Sequence, residues 1–426
     1  MVLVVILLFI FLIIRMPVGF AIGISGVAFF LQHPELPITT TVQVALNQTQ
    51  NLNLLAIPLF IFVGSLMNLS GITSRLLSLS MLLVGHMKGG LAQVSVVLAA
   101  LMGGISGSAN ADIAMLSRIL GPDMEKQGYP KGYTGAIIGY SSVAVVTIPP
   151  GISLILYGTI GNVSIGRLFS AGLIAGIYMT IFLMILVWMT SKVYNLSPAR
   201  SSRAGLKDIL LSLKESIWAI MFPILLLVGI RFGLFTTTEI GAIACAYVLL
   251  VGVFVYKEIN FKTLMNAINE TVISIGVIMF MIAMSAIFGY GIPIDKVPQM
   301  ITELITGITS NSFIGLAIIV LILIIFGMFM DGSIIIILLA PILIPITKEF
   351  GYDPVFFGIV VTIIVTIGIL TPPVGIGMYT LKTMLNMNLN HFLKASTPFF
   401  LLIIAFVLLM TLFPEVVLFL PDMLYG

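Results

Sequence analysis

The sequence predicts an all-α polytopic membrane protein, and three observations support this fold class. Of the 426 residues, 60% are hydrophobic and only 8% are charged, whereas soluble domains carry about 25% charged residues. Long apolar runs alternate with short polar breaks along the chain, as expected when each run forms a membrane helix. The 40 glycines and 20 prolines are tolerated in membrane helices, where neighbouring groups satisfy the freed backbone.

The apolar runs predict roughly 10 to 12 segments of spanning or half-spanning length. No small-residue cleavage site follows the first run, so we interpret it as a retained membrane segment. The predicted segments lie near residues 1–14, 17–31, 54–69, 74–87, 133–164, 166–192, 216–233, 237–256, 270–290, 355–386 and 392–419.

Two further apolar regions, 89–120 and 312–347, are interrupted by clusters of Gly, Ser, Asn or Asp. Such interruptions predict re-entrant hairpins, in which two short helices meet at a polar tip. Non-helical backbone at membrane depth is tolerated only inside protein or beside water. Between the halves, the stretch 191–215 holds five basic residues against two acidic ones. The positive-inside rule therefore predicts a cytoplasmic linker.

The two halves of the chain contain matching motifs. TIPPG at 147–151 corresponds to TPPVG at 371–375, and the two motifs begin 224 positions apart. The same offset aligns the cluster at 106–108 with 330–332. Paired broken segments in duplicated halves are typical of inverted-repeat transporters. An ion channel is the alternative function, but paired broken segments in duplicated halves are less typical of channels.

The cluster at residues 104–112 is the first candidate site. Small residues allow close backbone approach, and Ser or Asn side chains offer oxygens and amides without the cost of a buried charge. Helix-end carbonyls suit a sodium ion, and helix-end amides suit a substrate carboxylate. A plain small-residue helix contact, with Asp112 as a cap, is the alternative. The polar and small members are Gly104, Ser106, Gly107, Ser108, Asn110 and Asp112.

Tandem prolines mark the second candidate site. Pro149 and Pro150 remove two backbone donors and free carbonyls about one turn earlier, and Ser153 follows them. An unwound helix centre with carbonyls facing a cavity is the predicted result, and a structural kink is the alternative. The matching prolines at 372–373 favour the functional interpretation.

The third candidate site contains Gly327, Asp331, Gly332 and Ser333. Apolar sequence flanks Asp331 on both sides, so this carboxylate is expected at membrane depth, where an ionisable group is a functional hypothesis by default. It could ligate a cation, face substrate or cap the following helix. These roles are compatible.

The sequence lacks the motifs that are typical of several other function classes. The chain has no GxxxxGK[ST] loop, no HExxH and no GxSxG, so neither ATP hydrolysis nor enzymatic catalysis is expected. One cysteine and three scattered histidines give no metal-ligand spacing. The net charge of +3 is small and does not indicate nucleic-acid binding. The environments of Asp112 and Asp331 are unlike an intramembrane aspartyl protease. No cofactor is expected.

Seven segments together resemble the large membrane (M) subunit of tripartite ATP-independent periplasmic (TRAP) transporters, of the DctM and SiaM type, over essentially the whole chain. Individually each segment is a weak signal, but their combination in this order is specific. They are RMPVGFAIG at 15–23, LLAIPLFIFVGSLM at 54–67, GGISGSANAD at 103–112, TIPPG at 147–151, GLFTTTEIGA at 233–242, GMFMDG at 327–332 and TPPVGIGMY at 371–379.

The resemblance implies an elevator-type, inverted-repeat transporter of the bacterial inner membrane, with two re-entrant hairpins and two discontinuous helices. It implies scaffold parts at 1–53 and 214–267, separated from the transport domain by the cytoplasmic linker 193–213. The transport domain would comprise 54–192, with hairpin 89–120 and broken helix 133–164, and 268–426, with hairpin 312–347 and broken helix 355–386.

The resemblance also implies sodium-coupled import of a carboxylate-bearing acid, such as a C4-dicarboxylate, sialic acid or another sugar acid. The implied partners are a small four-helix membrane (Q-type) subunit and a soluble periplasmic substrate-binding protein. Implied substrate-facing residues are Ser106, Ser108, Asn110, Ser153 and Asp331. Implied sodium-site residues are Ser106, Asn110, Thr147, Pro149, Gly327, Asp331, Thr371 and Pro373. A solo carrier without a soluble partner is the nearest rival.

Overall fold

The computed structural model describes residues 1–14, 16–232, 235–309 and 311–425, and every regular element in these ranges is helical. Six helices are long and apolar enough to cross a membrane, or eight spans if each of two bent helix pairs counts as one. The predicted all-α, multi-span class is therefore confirmed. Arg15, Gly233 and Leu234, which belong to two of the family-like segments, lie outside the described residues.

Within the described residues, the first half of the chain contains ten α-helices, with a short 3-10 helix at Leu52–Leu55 before the fourth. In chain order they are α1 Val2–Ile13, α2 Val18–Gln32, α3 Thr39–Thr49, α4 Ala56–Leu69, α5 Ile72–Val84, α6 Gly90–Ser106, α7 Ala109–Lys126, α8 Lys131–Thr147, α9 Ile152–Gly161 and α10 Ile165–Val193.

The second half also contains ten α-helices, and the twelfth continues into a π-helical turn at Val251–Val255. They are α11 Leu206–Arg231, α12 Thr237–Leu250, α13 Phe261–Ile294, α14 Val297–Ile308, α15 Ser312–Gly327, α16 Gly332–Glu349, α17 Pro354–Gly368, α18 Ile376–Leu385, α19 Leu389–Leu412 and α20 Glu415–Tyr425.

The polar and proline-rich motifs coincide with the interruptions between helices. Two residues, 107–108, separate α6 from α7, and we call them the first tip. Residues 328–331 separate α15 from α16 and form the second tip. Residues 148–151, between α8 and α9, form the first break, and residues 369–375, between α17 and α18, form the second break. Helices α8 and α9 are bent by 44° relative to each other.

The helices differ from the predicted segments in three places. α3 and α14 were not predicted, because each mixes Thr, Gln or Glu with its apolar residues and so lacks a long apolar run. The predicted segment 392–419 is two helices, α19 and α20, which are separated at Phe413 and Pro414. A proline has no backbone N–H to continue the preceding helix.

Helices α8 and α17 occupy the centre of the molecule. Every residue of α8 from Gly132 to Thr147 is buried, and so is every residue of α17 from Val355 to Gly368. α8 packs on α6, α7, α10 and α19, while α17 packs on α15, α16 and α10. The two breaks therefore extend from the rigid core of the protein.

A second group of helices packs together beside this core. α13 packs on α2, α3 and α4, and α4 also packs on α12. The predicted domain boundary between 267 and 268 falls inside α13, and the boundary between 213 and 214 falls inside α11. The division into scaffold and transport domain remains a prediction.

Candidate functional site

A cavity of about 770 Å³ lies between the two tips and the helices α4 and α13. Seven of the candidate residues proposed from the sequence line it, namely Ser106, Gly107, Ser108, Ser153, Asp331, Gly332 and Ser333. They come from both halves of the chain and from three different interruptions, so the fold gathers distant polar motifs around one space.

The first tip is held against the first break. Gly107 ends α6 with a φ of 58°, a left-handed conformation that glycine adopts without a Cβ penalty. Its carbonyl accepts a hydrogen bond from the Ile152 N–H at 3.3 Å. A Cβ atom at Gly107 would lie 2.8 Å from the Pro150 carbonyl oxygen. The glycine is therefore required both for the turn and for the close contact.

The second tip contacts the second break in a similar way. The Met328 carbonyl accepts a hydrogen bond from the Gly375 N–H at 2.8 Å. Nearby, Gly327 packs directly on Gly368, such that a Cβ atom at Gly327 would lie 2.7 Å from the Gly368 Cα. Each half thus joins a tip to a break by one backbone hydrogen bond, as expected for related repeats.

Asp331 caps a helix and also joins the two tips. Its Oδ1 accepts a hydrogen bond from the Ser333 N–H at 2.9 Å, which caps α16. Its Oδ2 accepts a hydrogen bond from the Asn110 amide Nδ2 at 2.9 Å. The capping role suggested by the sequence is present, and both carboxylate oxygens have protein partners.

Asp112 lies directly behind the first tip and is fully buried. Its Oδ2 accepts a hydrogen bond from the Ser106 hydroxyl at 2.5 Å. It does not cap α7, because the N-cap is Ser108 and the carboxylate is directed to Ser106 instead.

Two buried acceptor oxygens at the first tip lack a donor among the described residues. They are Oδ1 of Asp112 and Oδ1 of Asn110. Buried polar atoms are normally paired, and an unpaired oxygen beside a carboxylate has the chemistry of a ligand to a hard cation, which binds oxygen ligands. Each oxygen therefore has the chemistry of a sodium ligand, and because residues two apart on a helix do not share a face, the two oxygens are separate candidates.

The other predicted sodium-site residues are not among the described residues that line the cavity. They are Asn110, Thr147, Pro149, Gly327, Thr371 and Pro373. Thr147 and Thr371 are buried, and their hydroxyls donate to the carbonyls of Val143 at 2.8 Å and Gly368 at 2.6 Å. Their oxygen lone pairs remain available as acceptors.

The two tandem-proline breaks are not equivalent in exposure. Pro149 is buried, whereas Pro373 is exposed on the other side of its break. Both motifs contain a cis peptide bond between their prolines. The sequence equivalence of Pro149 and Pro373 therefore does not extend to their surroundings.

Four polar residues that were not predicted line the opposite wall of the cavity. Ser65 and Asn68 lie on α4, and Glu270 and Ser274 lie on α13. Spacings of three or four residues place each pair on one helix face, and this spacing in an otherwise apolar run is a signal that could have identified them. Among the described lining residues, none is Lys, Arg or His.

Comparisons with known proteins place the chain in a family. A sequence model described as "Tripartite ATP-independent periplasmic transporter, DctM component" matches residues 5–416. A TRAP transporter large permease protein from Haemophilus influenzae is 35% identical over 96% of this chain and 95% of its own length.

Relatives with named substrates are similar over almost the same extent. The sialic acid TRAP transporter large permease protein SiaM of Vibrio cholerae is 32% identical, with 96% of each chain covered. The C4-dicarboxylate TRAP transporter large permease protein DctM of Pseudomonas aeruginosa is 30% identical over 95% of this chain and 94% of its own length.

Among solved structures, the YdaH transporter of Alcanivorax borkumensis matches with a TM-score of 0.64. The match covers 88% of this chain and 87% of YdaH at 13% sequence identity. At that identity the similarity concerns the fold.

Proposed function

The chain belongs to the DctM family of tripartite ATP-independent periplasmic transporters, and from this premise we propose that it imports a carboxylate-bearing organic acid by sodium symport. Its relatives are permeases, so the chain is a membrane transport component. The observation that supports the proposal is the cavity at which both tips meet through Asn110 and Asp331.

The charge of this site supports the proposed sodium coupling. The described lining contains Glu270 and Asp331 but no basic side chain, so an anion entering alone would meet net repulsion. A sodium ion held by the unpaired oxygen of Asn110, whose amide contacts Asp331, would offset that charge. Each sodium moving inward across ~100 mV supplies about 2.3 kcal/mol in addition to its concentration gradient.

The proposed sodium ligands come from both tips and both breaks. Side-chain oxygens and freed carbonyls would hold the ions, as at discontinuous helices in general. The residues are Ser106, Asn110, Thr147, Pro149, Gly327, Asp331, Thr371 and Pro373. Substrate would contact the cavity-facing side of the same region, at Ser106, Ser108, Asn110, Ser153 and Asp331.

Alternating access would move the tips and breaks as one body. Backbone hydrogen bonds join each tip to its break, which favours their movement together. The packing of α4 and α13 on α2, α3 and α12 favours placing these two helices with the stationary scaffold, and not with transport segments 54–192 and 268–426. The elevator movement is then a sliding of the two-tip body along the α4 and α13 wall.

Two further components would complete the transporter, of which this chain is the large subunit in the bacterial inner membrane. We propose that a small four-helix membrane subunit stabilises the scaffold in the bilayer and that a periplasmic binding protein delivers the acid. The family description supports a three-part, ATP-independent assembly.

The test is uptake into proteoliposomes that contain the chain and its small subunit. Labelled succinate, malate, sialic acid and a uronic acid are offered with and without binding protein, and with and without an inward sodium gradient. Sodium-dependent uptake that requires the binding protein is expected. Equal uptake without that protein would indicate a solo carrier, and flux that neither saturates nor needs sodium would indicate a channel.

A further inference from the structure

We propose that Glu270 is a specificity-determining residue of the cavity and that it selects a polyhydroxylated monocarboxylate, of the sugar-acid type, over a dicarboxylate. This inference rests on the function proposed above and narrows its substrate class. Glu270 lies on α13, on the wall opposite the tips, and lines the same cavity as Asp331.

The position of Glu270 favours a role in the cavity. Glu270 lies in the first three turns of the spanning helix α13, and it is exposed. It lines the cavity together with Ser274, which lies one turn later on the same helix face. An ionisable residue on a spanning helix usually faces water or a binding cavity.

Glu270 is also the acidic side chain with free hydrogen-bonding capacity. Both oxygens of Asp331 accept hydrogen bonds from the protein. Among the described residues, by contrast, the Glu270 carboxylate has no hydrogen bond or ion pair, and no basic residue lines the cavity to neutralise it. An ionised carboxylate accepts hydrogen bonds and cannot donate them. It therefore favours a hydroxyl group and repels a second carboxylate of the substrate.

The neighbours of Glu270 suit several hydroxyl groups. Ser65 and Asn68 lie on the same wall and supply neutral donors and acceptors. Ser274 also lies there; its hydroxyl donates to the Glu270 carbonyl at 2.9 Å, so its oxygen serves as an acceptor. A volume of about 770 Å³ lies within the range of about 300–1,000 Å³ typical of pockets for drug-sized ligands, and it exceeds what a four-carbon acid needs. Sites built to bind hydroxyls discriminate strongly against analogues that lack them.

Acid binding to the purified membrane protein tests this inference without the selectivity of the soluble partner. The chain, with its co-purifying subunit, is titrated in sodium buffer with glucuronate, sialic acid, succinate or malate while its melting temperature is followed. We expect the sugar acids to raise the melting temperature of the protein at lower concentrations than the dicarboxylates do. In Glu270→Gln, dissociation constants for sugar acids rise about tenfold, and those for dicarboxylates fall.

The matched control is Glu303→Gln, which removes one exposed carboxylate on α14, outside the described cavity lining, and should leave all acid affinities unchanged. If Glu270→Gln does not fold, Ser274→Ala is the second variant. Ser274→Ala is expected to weaken the binding of sugar acids about threefold, because one neutral hydrogen bond is lost. The binding of dicarboxylates should be unchanged.

Two results would overturn the inference. One is tighter dicarboxylate than sugar-acid binding in the unmodified protein. The other is a Glu270→Gln variant whose sodium dependence changes while its acid preference does not, which would make Glu270 an ion ligand. Loss of sodium-dependent uptake with intact sugar-acid binding would instead count against the proposed symport and leave the specificity role standing.

Discussion

The Asn110 amide donates a hydrogen bond to the Asp331 carboxylate at 2.9 Å across 221 positions of sequence. This bond joins the first turn of α7 to the N-cap residue of α16. Because Asp331 also caps α16 through Ser333, a displacement of Asn110 would be transmitted to the start of that helix. The two halves of the candidate site are therefore coupled by one side-chain contact.

Asn110→Ala should reduce sodium-dependent uptake by about tenfold, because the Asp331 oxygen loses its donor in a partly buried site. Asn47→Ala, at an exposed position of α3 outside the described cavity lining, is the control and should leave uptake unchanged. In a double-mutant cycle with Asp331→Asn, the coupling free energy should be about 1–3 kcal/mol. Strictly additive effects on stability and uptake would contradict a direct contact.

Gly107→Ala should destabilise the protein and abolish uptake. An alanine there adopts an unfavourable positive φ, and its Cβ would lie 2.8 Å from the Pro150 oxygen. Gly128→Ala is the matched control, since Gly128 also has a positive φ, of 79°, but no atom within 4 Å of its Cβ position. Both variants incur a strain of about 1–2 kcal/mol. Equal melting temperatures for the two would mean that the tip does not pack on the break.

Gly327→Ala should separate α15 from α17, because the added methyl group would approach the Gly368 Cα to 2.7 Å. Backbone atoms cannot move away as a flexible side chain can. We expect a lower melting temperature and slower uptake. Gly276→Ala, with open space around its Cβ position, should be neutral or slightly stabilising, because alanine is the better helix former. An unchanged melting temperature and uptake rate in Gly327→Ala would contradict the close contact between Gly327 and Gly368.

Ser106→Ala should destabilise the protein by about 1–3 kcal/mol, because the buried Asp112 carboxylate loses its hydroxyl donor. Ser80→Ala is the control. Ser80 is fully buried, whereas Ser106 is half-buried, and the Ser80 hydroxyl donates to the Leu76 carbonyl, an oxygen within a regular helix. Denaturation in matched detergent measures the difference. If Asp112 contributes to a sodium site, Ser106→Ala will also raise the sodium concentration needed for half-maximal uptake.

The interruptions of the helices were predictable because they depend on local chemistry. Tandem prolines at 149–150 and 372–373 remove backbone donors, and α8 and α17 do end at or shortly before them. Gly107 supports a left-handed turn, and α6 ends there. Asp331 precedes an apolar run and caps α16. Each of these outcomes follows from a few consecutive residues.

Other features depended on neighbours that are distant in sequence. Capping of α7 by Asp112 was the alternative interpretation of the first candidate site, but the Asp112 carboxylate accepts a hydrogen bond from the Ser106 hydroxyl instead, and this contact depends on how tightly the first tip turns. Pro149 and Pro373 occupy equivalent motifs, yet one is buried and the other is exposed. Packing around each break, which the motif does not specify, determines this difference.

The sequence by itself determined the membrane class, the positions of the breaks and the types of polar group available, because hydropathy, missing amide donors and glycine turns act within a few residues. Only the tertiary structure decided that Asn110 meets Asp331 and that Glu270 faces both tips across one cavity. Those relationships depend on how α4, α13 and the two helix pairs pack. Apolar faces in a membrane pack through shape and small-residue contacts, which apolar periodicity alone does not specify.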